Sequence, residues 1–209
     1  MAGVRPNNRP IANQNFNRYF RQSNIMPSAV TVQQANKPRC VQRAHGRSTE
    51  TLFAFNDAPE ALDSTALHVA LLSIEGDTLH AENFPVDVAA FSHQVVELGE
   101  AFSTSKGILR WTWSDDAGTN LDAGTHLHAK PAEVDWPDAT IETVWKGDSL
   151  VLTSDRIALG VRLQLESVQF EENGFMLFPN EPKTVRFRTT GSQNLAPDAL
   201  SVEHFAEYQ

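Results

Sequence analysis

The chain of 209 residues reads as an all-β protein, two consecutive β-sandwich domains following a basic N-terminal arm. Three observations predict this. From Glu50 onward apolar residues recur with a period of two, and no stretch carries the 3.6-residue period of a helix. Turn residues interrupt that alternation at the short, regular spacing of sandwich strands. Charge also divides the chain: the net charge is −9, yet no acidic residue precedes Glu50.

Eight basic residues lie before that point: Arg5, Arg9, Arg18, Arg21, Lys37, Arg39, Arg43 and Arg47. The rest of the chain carries the other nine basic and all 26 acidic side chains, as expected when two physically different segments are joined. Residues 1–47 are rich in Asn, Gln, Arg and Pro. Their few apolar groups do not offset the entropy of ordering them, so the expectation is a mostly disordered arm. Phe16, Tyr19 and Phe20 fit one short helical stripe that ends before Pro27. Such an arm has the charge to hold nucleic acid, with the aromatics stacking on bases, and the acid-poor flavour of a transit peptide. The simpler reading is an unrelated segment joined to the domains, and nucleic acid is not the expected partner.

The first domain is placed at residues 48–130. Thr51–Asn56 reads as a strand that turns at Asn56-Asp57-Ala58-Pro59. Ala66–Ile74 is the next, closed by Glu75-Gly76-Asp77, where Gly supplies a positive φ. Thr78–Val86 follows, and Pro85 within it suits an edge position because proline lacks a ladder donor. Ala89–Leu98 and Ile108–Ser114 come next, the latter with Trp111 and Trp113 on one face. A loop at Asp115–Asn120 then leads to Thr125–Ala129. The two prolines of Lys130–Pro137 break the pattern, so 131–137 reads as a linker. The second domain, 138–209, repeats the alternation in Thr140–Lys146, Ser149–Ser154, Ile157–Glu166, Val168–Phe170, Val185–Thr189 and Leu200–Phe205. Gly147-Asp148 and Asp155-Arg156 supply its first hairpin turns.

No stretch approaches the roughly 20 apolar residues that span a bilayer, and the N-terminus lacks the apolar core of a secretory signal. The cytoplasm is therefore the default expectation. A single cysteine, Cys40, excludes an internal disulfide framework and a multi-cysteine metal site.

Val168–Thr189 (VQFEENGFMLFPNEPKTVRFRT) resembles a motif in the last immunoglobulin-like domain of β-mannosidase-like enzymes of glycoside hydrolase family 2. That motif is Phe-x-[Asp/Glu]-Asn-x-Phe-x-Leu-x-Pro-Gly-Glu followed by a Thr-Val-x-Phe strand. Here it is carried by Phe170, Glu172, Asn173, Phe175, Leu177, Pro179 and Glu181, with Asn180 where the family usually has Gly. Asn is the next best residue for a left-handed turn position. Leu150–Leu163, Phe53–Leu79 and Ser114–Trp136 resemble further segments of the same region, in order, so the resemblance covers about residues 49–209. It implies two immunoglobulin-like sandwiches that, in relatives, pack against a catalytic barrel. The implied parent reaction is hydrolysis of terminal β-mannosides. This chain has no room for eight β/α units, so a truncated, non-catalytic form is expected, lacking its barrel partner and prone to self-association through exposed apolar surface.

Few constellations suggest chemistry of their own. Asn180-Glu181 matches the dipeptide that marks the acid/base in the family's barrels, but its place in a Pro-Asn-Glu-Pro turn makes it structural. Asp115, Asp116 and Asp122 miss the spacing of a calcium loop. His126 and His128 share a strand face, as in some zinc sites, and a third ligand would have to come from His80 or His93, neither of which the sequence places nearby; packed, hydrogen-bonded histidines are the simpler reading, and no metal or cofactor is expected. There is no nucleophile elbow and no phosphate loop. Trp111 and Trp113, paired on one strand face, read first as core, and Trp136 between prolines as a wedge at the seam between the domains. All three are also weak sugar-contact candidates, because exposed aromatics stack on sugars. They support the alternative of a stand-alone carbohydrate- or protein-binding module.

Overall fold

The computed structural model describes residues 37–44, 50–103, 106–189 and 197–208, and contains fourteen strands and no α-helix among them. Residues 1–36 and 45–49, including the expected Phe16, Tyr19 and Phe20 stripe, lie outside the described residues.

The first sandwich is built from β1 (Arg39–Arg43), β2 (Thr51–Asn56), β3 (Leu62–Leu72), β4 (Thr78–Val88), β5 (Ser92–Glu97), β6 (Ile108–Ser114) and β7 (Asn120–Leu127). Its two antiparallel sheets run β1-β2-β5 and β4-β3-β6-β7. The inward half of each alternation, Leu52, Ala54, Leu67, Val69, Leu109, Trp111 and Trp113, fills one core. β4 is an edge strand, so Pro85 costs no ladder bond there. Beside it, Gln94 of β5 accepts from the Asp87 N–H at 2.9 Å and donates to the Pro85 carbonyl at 3.2 Å.

The second sandwich comprises β8 (Ile141–Lys146), β9 (Ser149–Ser154), β10 (Ala158–Gln164), β11 (Val168–Phe170), β12 (Phe175–Leu177), β13 (Lys183–Thr189) and β14 (Ser201–Glu203). Its sheets run β11-β13-β9-β8 and β12-β10-β14. Leu150, Leu152, Val161, Leu163, Leu177 and Val185 form its core, closed by Trp145, Phe170 and Phe187. The sequence reading passes over β12, a three-residue strand too short to show a period.

Two side chains fix local geometry. Asn56 is fully buried; its Nδ2 donates to the Glu60, Val88 and Ala89 carbonyls while Oδ1 accepts from the Ala58 N–H. It thereby joins the end of β2 to its turn and to the end of β4. Asn173 does the same in the second sandwich, pairing Oδ1 with the Leu163 N–H at 2.7 Å and Nδ2 with the Leu163 carbonyl at 3.2 Å.

Within the segment read as an arm, the structure moves the start of the sandwich. Residues 39–43 form β1, paired in register from Arg39 with Asn56 to Arg43 with Leu52. Val41 joins the core cluster with Cys40 buried beside it, and two adjacent apolar residues make no alternation, so local pattern gives no strand signal. What holds β1 comes from afar. Asp122 of β7 accepts from the Val41 N–H at 2.8 Å and from Lys37 Nζ at 3.0 Å, and Glu50 takes Arg43 in a bidentate pair at 2.6 and 2.7 Å. Asp122 is thus a clasp between the sheets. Asp115, on the same hairpin, accepts from the Thr119 N–H and closes the turn.

Replacing Asp122 by Ala should cost about 1–3 kcal/mol, because a buried backbone donor loses its acceptor. Asn at that position should recover most of the loss. Urea unfolding midpoints of the two variants check this, and an unchanged midpoint for Asp122→Ala would contradict it.

Candidate functional site

The place where both sandwiches contribute side chains is the seam between them. The segment 131–137 is a wedge more than a spacer. A 3₁₀ turn at Pro131–Glu133 is followed by Val134 and Trp136, both buried, and Trp136 Nε1 donates to the Pro131 carbonyl at 2.9 Å. These two pack with Ala70, Leu72 and Ile108 from the outward face of the first sandwich and with Ile157 of the second. Met176, Phe178 and Phe205 close the cluster. At about 1.5–3 kcal/mol for each large side chain buried, this apolar contact dominates the seam.

At its rim the Phe178–Glu181 turn reaches across. Asn180 takes φ 62°, the left-handed conformation for which the sequence reading prefers Gly or Asn. That turn aims Glu181 at Arg110 of β6, giving a bidentate pair of 2.5 and 2.7 Å, while the Arg110 guanidinium sits 4.5 Å over the Phe178 ring. Arg110's hydrogen bonds hold the Glu181 carboxyl below its ordinary range. Pro179 lies against the β3–β4 hairpin: a Cβ on Gly76, already at φ 102°, would stand 2.8 Å from Pro179 Cγ. Gly76 therefore serves both the turn and the seam. Together these groups border a groove of about 340 Å³, floored by Ala70 and Leu72 and walled by His68, Thr78, Arg110, Thr112, Phe178 and Glu181.

The motif residues divide by role. Phe170 and Leu177 are buried in the second core, and Phe175 packs against it under Lys183 Nζ at 5.0 Å. Asn173 braces β10, while Pro179 and Glu181 belong to the seam. The three tryptophans sit in the core and the seam, the reading preferred from the sequence over sugar contact. Trp113 is fully buried with Nε1 bonded to Thr65, Trp111 is 7% exposed and Trp136 is 5% exposed, so their ring faces are taken by packing. The Trp111 indole lies flat against Gly124, where a Cβ would collide with it.

His126 and His128 do share a face, with ring centroids 5.4 Å apart. No group of three or more His, Cys, Asp or Glu side chains suited to a metal occurs among the described residues. His128 instead packs inward, its Nδ1 3.6 Å from Glu50. Burial pushes the His128 imidazole to a lower pKa, outweighing Glu50, whose charge Arg43 already shares. Cys40 is buried, and burial raises its thiol pKa. The residue that sequence reasoning misses is Arg110. Its one signal is a cation at an outward position between Leu109 and Trp111.

Residues 130–208 match the family model Ig_mannosidase, an Ig-fold domain, which covers the second sandwich. No curated protein matches the chain. Among solved structures, a β-D-mannosidase from Dictyoglomus thermophilum superposes with a TM-score of 0.60 at 21% identity, over 86% of this chain and 23% of that one. The exo-chitosanase CsxA of Amycolatopsis orientalis does so with a TM-score of 0.54 at 14% identity, over 77% and 24%. The chain therefore spans about a quarter of the length of these structures, and the likeness establishes a shared fold. Both findings bear out the resemblance to the C-terminal sandwiches of β-mannosidase-like enzymes.

Two outcomes follow from the seam and its surroundings. Arg110→Ala and Glu181→Ala should couple by about 0.2–1 kcal/mol in a double-mutant cycle, as for a half-exposed pair, whereas Trp136→Ala should cost about 3–5 kcal/mol. A pair worth more than the wedge would reverse that ranking. Separately, His128 is held neutral, so the stability it contributes is present above its ordinary pKa of about 6.5 and is lost as pH falls below it. Unfolding free energy measured from pH 7.5 to 5.5 should decline, and His128→Gln should flatten that slope.

Proposed function

We propose that the chain is the accessory sandwich pair of a β-mannosidase-like glycoside hydrolase, without turnover of its own. The observation that carries this reading is the joint build of the seam. A motif of the Ig-fold domain, Phe178–Glu181, grips the preceding sandwich through Arg110 and Gly76. A domain pair locked in one orientation suits a rigid buttress for a third body. The structures that superpose on both sandwiches are about four times longer than the matched region. Retaining glycosidases need two carboxyl groups about 5–5.5 Å apart on a rigid scaffold. In the family that scaffold is a barrel of eight β/α units, and the described residues contain no α-helix.

Two carboxylates with shifted titration, one at the seam and one beside β1, argue the same way. Glu181 and Glu50 are both held by arginine forks and shifted toward the ionised form, the opposite of a general acid. The proposed parent reaction is hydrolysis of terminal β-mannosides, which belongs to the barrel. Among the described residues, Leu79, Phe91, Val95 and Val144 are the large apolar side chains left exposed, and we expect self-association to start from them.

Purified protein should show no hydrolysis of an aryl β-mannoside above the buffer rate. Release of the aryl group in proportion to added protein, abolished by heating, would overturn the reading.

A further inference from the structure

We propose that the groove on the seam is a binding site for a small neutral polyol, about the size of one hexose ring. The inference goes beyond the accessory role and does not depend on it. Its volume of about 340 Å³ falls at the low end of ligand pockets, which run roughly 300–1,000 Å³ and favour domain interfaces.

The chemical class follows from the walls. Arg110 and Glu181 neutralise one another, so an anion would have to displace Glu181, and a cation Arg110, from two short charge-assisted bonds. A neutral ligand leaves the pair intact and uses what remains of it. A guanidinium has five N–H donors and a carboxylate about four lone-pair sites, and the pair consumes two of each. Donors and acceptors therefore alternate along one wall, the pattern that hydroxyls satisfy because each both donates and accepts. The Thr78 and Thr112 hydroxyls border the same space and hold no hydrogen bond to the described chain. His68 has Nδ1 fixed by Asn83 at 2.9 Å, which leaves Nε2 for a ligand. The apolar floor offers C–H contact to the carbon face of such a molecule. Arg110 already covers the Phe178 ring, so recognition rests on hydrogen bonds without aromatic stacking. Affinity should accordingly be weak, on the order of millimolar.

The test is amide-shift titration of the full chain with mannose, with acetate and ammonium as charged probes. Saturable shifts confined to residues lining the groove are expected. Thr112→Val should weaken them about five- to tenfold, the worth of one hydrogen bond. Thr112→Ser, which keeps the hydroxyl, should bind as the parent does, separating loss of a contact from loss of fold. A flat or non-saturating titration overturns the proposal, as does equal affinity in Thr112→Val. Saturable shifts at these residues with acetate or ammonium would mark an ionic site and overturn it too. The titration and the turnover assay fail independently, because neither outcome fixes the other.

Discussion

The structure depends on burying the outward face of the β3–β6 sheet end under the second sandwich. Ala70, Leu72 and Ile108 point away from their own core and would otherwise be a wet apolar patch. Trp136 and Val134 fill the gap, so the segment between the domains is part of a third core. This contact gives the pair one orientation. The Arg110–Glu181 fork then adds register more than energy, since half-exposed ion pairs are worth little beside buried rings.

That hierarchy explains how the family motif is written. Its apolar positions, Phe170, Phe175 and Leu177, serve the second sandwich alone, while its Pro and Glu serve the neighbour. Asn173 and Asn180 set the path between those two tasks, one by bracing β10 and one by turning left-handed. A single stretch of chain thus completes its own core and docks on the preceding domain. The comparisons agree with that division: the family model covers the second sandwich, and the structural superpositions extend across both.

Period-two alternation made the fold class legible, as did turn residues such as Gly76 and the tolerance of an edge for Pro85. Alternation also places Trp111 and Trp113 on one face, but a face does not announce whether it is core or surface, and only packing settles it. β1 was hidden because its two apolar residues, Cys40 and Val41, are adjacent and show no alternation. Its anchors, Asp122 and Glu50, act through space, with Asp122 lying 81 residues from Val41. Arg110 and Glu181 are 71 residues apart, a distance over which a single sequence carries no pairing signal. Glu181 could be named from a motif, yet its partner could not.

One small arrangement bears on how such a chain survives at high concentration. The eleven-residue β4 presents an open border, the kind of row on which another molecule's strand can be laid down. Gln94 sets its carboxamide there as a counterfeit strand of one residue, spending the Asp87 donor and the Pro85 acceptor. A neighbouring polypeptide arriving at that stretch finds its docking sites occupied and a proline in the way. The border is thus blunted by one side chain borrowed from the opposite sheet.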